Sequence, residues 1–133
     1  MATRHQVRES VISLLYAKDM GNESIEKFVE DILEDKKIRN QQKDFALSLF
    51  NGISENLDQI DQEANRHLKD WKIDSIGSIE RAILRLGIYE MLHGSLDHAV
   101  IINEAIELSK NLAADTAPKF INGVLDSVRK GQK

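Results

Sequence analysis

Apolar residues recur at intervals of three and four along almost the whole chain, and only one proline and seven glycines interrupt them. That spacing is the helical period, and no window alternates strictly between turn signals as a strand would, so the chain is expected to be all-α. With 133 residues and 15.1 kDa, it has room for one domain whose core needs no metal or cross-link. The absence of cysteine excludes a disulfide scaffold, a cysteine zinc site, an iron–sulfur cluster and thiol catalysis. The first residues lack the uninterrupted apolar stretch of a secretory leader, and no apolar run is long enough to span a bilayer. Neither export nor a membrane is expected, and the cytoplasm suits everything else.

Six substantial helices can be placed. Thr3 and Gln6 form a capping box ahead of Val7, Val11, Leu14 and Leu15, and Gly21 suits the left-handed residue that ends this helix. A second runs from about Ser24 to Glu34 with Ile25, Phe28, Val29, Ile32 and Leu33 on one face. After Asn40, the series Phe45, Leu49, Ile53, Leu57, Ile60, Ala64 and Leu68 keeps its phase through Gly52. It predicts one unbroken helix over 41–69, about 43 Å long at 1.5 Å per residue. A turn-rich segment follows at 73–77. Ser78 then opens a helix carrying Ile79, Ala82, Ile83, Leu86 and Met91, whose interior Gly87 points to a close helix crossing. Asp97 and Thr116 precede the last two helices, and Pro118 fits the first turn of the final one. The expected architecture is two small, orthogonally packed bundles, approximately 1–70 and 71–133, sharing the long helix at 41–69 within a single domain of residues 1–133.

The net charge of −4 is unevenly spread, with seven bases against twelve acids between residues 21 and 70. Broad electrostatic affinity for nucleic acid is not expected, so any such binding has to come from a local patch. No phosphate loop, metalloprotease motif or nucleophile elbow is present. The histidines His5, His67, His93 and His98 are scattered and read as locally bonded imidazoles rather than as metal ligands. Asp58, Asp61 and Glu63 read as a solvated helix face rather than as acid and base. No enzyme activity, metal or cofactor is expected.

Three groups invite a binding role. Arg4 and Arg8 stand one helical turn apart with His5 between them, so both guanidiniums can share a face suited to phosphate oxygens, or simply to solvent. Lys119 beside Phe120 pairs a phosphate donor with a ring that could stack on a base, although Phe120 also fits the apolar stripe. Glu80, Arg81, Arg85 and Glu90 read equally as ion pairs on a bundle surface and as a charged protein interface.

Four stretches, taken in order, resemble the family of the bacterial transcription antitermination factor NusB: RESVISLLYAKD at 8–19, FALSLFNGI at 45–53, ERAILRLGIYEML at 80–92 and VIINEAIELSKNLAADTAPKFINGVLD at 100–126. The resemblance covers nearly the whole chain. It implies an all-helical, non-enzymatic RNA-binding protein that joins the ribosomal protein NusE on single-stranded boxA-like RNA and helps assemble an antitermination complex on ribosomal-RNA operons. It also implies homodimers in some members. Carried over by position, the RNA-binding residues would be Arg4, His5, Arg8, Tyr16, Lys119 and Phe120. Gln6 lies in the same basic start, which is thinner here than the family's unbroken run, so strong RNA affinity would depend on the partner. Thr116 stands where some relatives have an acid. Glu80 and Arg81, extended by Arg85, would meet the ribosomal protein. The alternative is a protein–protein structural adaptor that does not itself recognise RNA.

Overall fold

The computed structural model describes residues 2–132, and among them are seven α-helices, one 3-10 turn and no strand. The helices are α1 (Arg4–Asp19), α2 (Ile25–Asp35), α3 (Gln41–Glu55), α4 (Leu57–His67), α5 (Ser78–His93), α6 (His98–Leu112) and α7 (Ala117–Gly131), with the 3-10 turn at Ile73–Ser75. Among the described residues, no helix is long and apolar enough to cross a membrane.

The start of α1 is fixed as its sequence dictates. The Gln6 amide donates to Thr3 Oγ1 at 3.1 Å, and the Thr3 amide donates back to Gln6 Oε1 at 2.9 Å, which satisfies two amide donors that the helix start leaves free. At the other end Gly21 has φ +99°, a region L side chains rarely adopt. At the starts of the other long helices, Asn40, Asp97 and Thr116 precede the first helical residue but make no side-chain cap bond.

The unbroken helix expected over 41–69 is instead two helices, interrupted at Asn56 and not at Gly52. Asn56 has φ −116° and ψ 23°, and its side-chain amide donates to the Gly52 carbonyl at 2.7 Å while its own N–H reaches the same oxygen at 3.1 Å. A side chain competing for that carbonyl ends α3, and α4 begins one residue later. Gly52 lies inside α3 because the Tyr89 hydroxyl occupies the space a Cβ would need, only 2.0 Å from where that atom would sit.

The shared element is α5. It packs against α1 and α3 on one hand and against α4, α6 and α7 on the other. Ala82, Ile83, Leu84, Leu86, Gly87, Ile88, Glu90 and Met91 are all buried, so the helix is covered nearly all round, as a central helix must be. Gly87 serves the close crossing expected of it, since a Cβ there would sit 3.0 Å from Leu125 Cδ1 of α7. Buried apolar side chains from all seven helices join into one continuous core. Phe28, Val100 and Leu96 lie outside it, exposed. Phe28 was expected on the buried face of α2, but that face consists of Ile25, Val29 and Leu33 at a strict four-residue spacing, which turns Phe28 to solvent.

Candidate nucleic-acid interface

Arg4 and Arg8 rise from α1 one turn apart, yet their environments differ. The Arg4 side chain is exposed, and its guanidinium lies over the Phe45 ring of α3 at 3.9 Å from the centroid, a cation–π contact that presets its direction. Arg8 is 5% exposed and gives both arms of its fork to Glu90 of α5, Nε to Oε1 at 2.7 Å and Nη2 to Oε2 at 3.0 Å. This bidentate pair uses two of the five guanidinium donors, and burial keeps the others from a phosphate in solution. Of the two arginines expected to share a phosphate-facing surface, only Arg4 is exposed, and Arg8 joins α1 to α5.

His5 turns toward α6, with Nδ1 at 2.6 Å from Glu104 Oε1 and Nε2 at 3.3 Å from Asn111 Nδ2. This contact sets the start of α1 beside the end of α6. From there residues 113–116, including exposed Thr116, lead into α7, whose first turns carry Lys119 and Phe120. Lys119 is exposed, while Phe120 is half-buried against the core, so its ring serves packing and remains partly accessible. Tyr16, 38% exposed, sits three turns further along α1, about 18 Å from Arg4 along the helix axis, and belongs to a separate surface.

Glu80, Arg81 and Arg85 open α5. Arg85 grips Asp61 of α4 with Nε and Nη2 at 2.9 and 2.8 Å and reaches Asp19 of α1 at 3.4 Å. Burial works against the Arg85 charge, but the Asp61 and Asp19 carboxylates more than offset it, and the pKa is raised above the usual guanidinium value. Arg81 Nε lies 2.9 Å from Asp19 Oδ2, an ion pair without hydrogen-bond alignment, and its other arms reach the Asp74 carbonyl and Ser78 Oγ. Both arginines are thus engaged within the chain, fastening α1 and α4 to α5. Glu80 is the member of the trio without an ion-pair partner among the described residues, and its carboxylate lies against Gly77 at the favourable positive end of α5.

Two of the other histidines have structural partners. His67 bonds Ser127 Oγ at 2.8 Å and lies 3.5 Å from the buried Glu63, while His93 reaches Gln59 at 3.0 Å and stacks at 5.0 Å on Tyr89. Sequence reasoning missed three features of the surface: Phe45 as the platform under Arg4, Glu90 as the owner of Arg8, and Trp71, which is 59% exposed in the groove that also contains Phe120. A lone tryptophan in a polar, turn-rich segment was the available signal for the last.

The NusB family model matches residues 5–130. The transcription antitermination protein NusB of Nitratiruptor sp. is 60% identical over 133 residues, covering all of this chain and 96% of that protein. Among solved structures, T. maritima NusB superposes with a TM-score of 0.88 at 33% identity, over 97% of this chain and 92% of that one. A structure of antitermination factors NusB and NusE with double-stranded RNA matches with a TM-score of 0.85 at 29% identity, over 96% of both chains. Sequence and fold agree over essentially the full length, and the chain belongs to the NusB family of transcription antitermination factors, which are not enzymes.

Proposed function

We propose that this chain, in the cytoplasm, binds boxA-like single-stranded RNA jointly with the ribosomal protein NusE and so supports antitermination on ribosomal-RNA operons. The observation that carries the reading is the likeness to the NusB chain of the NusB, NusE and RNA complex over 96% of both chains. Arg4 and Lys119 would hold phosphates, and Phe120 would offer a ring face to an unstacked base. With Arg8 committed to Glu90 and the chain at −4, the cationic surface is small, so NusE has to extend it and binding becomes cooperative.

Titrating a boxA-like RNA and a scrambled RNA, with and without NusE, tests this directly. Preference for the boxA-like RNA should emerge only, or far more strongly, in the ternary mixture. Equal binding of both RNAs under every condition would reject specific recognition and leave the adaptor role.

The protein partner should meet Glu80. Calorimetry with NusE in the absence of RNA should find Glu80→Lys weakened about tenfold or more, because it reverses a charge at the interface, and Glu80→Gln weakened less. Unchanged affinity in a folded Glu80→Lys protein would move the interface away from the start of α5.

A further inference from the structure

The segment between α4 and the 3-10 turn carries Lys69, Asp70 and Trp71 across an open groove of about 450 Å³, whose other wall is Lys119, Phe120 and Gly123 of α7. Trp71 is 59% exposed in this groove, and the half-buried Phe120 lines the same groove. The nearby carboxylates of the two helices are already engaged, Glu63 by Arg66 and His67, Asp126 by Arg129 and Lys130. Lys69 and Lys119 therefore have no ion-pair partner among the described residues, and Asp70 is the acid that tempers them. A glycine at 123, with nothing within 4 Å of where a Cβ would be, keeps the floor low.

We infer that Trp71 forms a base-stacking subsite for single-stranded RNA, continuous with Phe120 and flanked by Lys69 and Lys119 as phosphate contacts. An exposed indole in one groove with a second ring and two lysines is the chemistry that binds unpaired bases: each base has a π-face to stack, and the lysines can follow the backbone. The subsite includes Lys119 and Phe120 at the start of α7, the helix that follows α6, and α6 is the helix that His5 contacts through Glu104 and Asn111. It adds Lys69 and Trp71 to Lys119 and Phe120, where the arginine-poor start alone gives the RNA one or two contacts. The inference rests on the RNA reading above and extends it to residues that reading does not use.

Trp71 is the chain's only tryptophan, so its own emission reports the contact. In the complex with NusE, with the Trp71→Phe complex as the blank, a boxA-like single strand should quench that emission saturably. The midpoint should coincide with that from the anisotropy of labelled RNA. Trp71→Ala should weaken RNA binding about tenfold, the scale of one lost base stack, while Trp71→Phe retains most of the affinity and Lys69→Gln lowers the salt dependence by about one contact. Circular dichroism should show both Trp71 variants folded, as an exposed side chain requires. RNA that binds with normal affinity to Trp71→Ala, leaving the parent emission unchanged, overturns the subsite alone. Emission that changes on adding NusE and no further with RNA places a protein against Trp71 and also overturns it, as does equal quenching by duplex RNA, whose bases offer no free face. If anisotropy finds no RNA binding to the parent complex at all, the RNA reading itself fails and the subsite falls with it.

Discussion

Arg8→Ala should destabilise the protein by about 3–5 kcal/mol, because it leaves Glu90 charged and unpaired in the core between α1 and α5. Urea unfolding followed by circular dichroism measures this. Glu90→Ala should cost a similar amount for the mirror-image reason. The double replacement Arg8→Met with Glu90→Leu removes both charges and keeps the volume, so it should recover most of the loss; the pair's net worth is small once the desolvation of both partners is counted. Single variants within about 1 kcal/mol of the parent would show that water screens the pair. RNA binding by the double variant then separates the two roles. If Arg8 is structural, a folded double variant binds RNA with NusE as the parent does; if it is a phosphate contact, affinity and salt slope both fall.

That experiment bears on what the sequence could disclose. A helical wheel correctly puts Arg4 and Arg8 on one face, but the residue that separates their fates, Glu90, lies 82 positions away. Local spacing says where a side chain leaves the helix and nothing about who waits across the interface. Thr3, Gln6 and Gly21 were legible because their effects are confined to one turn of chain. The break at Asn56 was not. Ile53, Leu57 and Ile60 keep a spacing of three and four across it, so the apolar phase survives while the backbone hydrogen-bond ladder does not. Periodicity measures the phase only. The centrality of α5 left a trace that went unused: from Ala82 to Met91 apolar residues occur on nearly every side, which a helix with one solvated face would not tolerate. The candidate site follows the same pattern. Lys119 and Phe120 could be named from adjacency in sequence, whereas Trp71 joins them only because α7 lies along the segment that follows α4.

Two phenylalanines in α3 give the last contrast. Phe50 was absent from the apolar series expected of this helix, yet it is 2% exposed and among the largest fully buried side chains, whereas Phe45, which was named, is only half-buried beneath Arg4. Phe50→Ala should therefore cost about 3–5 kcal/mol in urea unfolding, since the ring leaves a cavity among packed helices that can close only in part. The Lys18 ammonium, 5.7 Å from the same ring, would lose its cation–π partner as well, a smaller contribution because Lys18 already pairs with Glu26. Phe45→Leu should leave stability within about 1.5 kcal/mol, because the volume is nearly kept and the site is half open. Its consequence should fall on Arg4, which loses the π-face that orients its guanidinium, and RNA binding with NusE should weaken without loss of fold. A Phe50→Ala protein as stable as Phe45→Leu would mean that α3 does not pack through the Ala46, Leu49, Phe50 and Ile53 face.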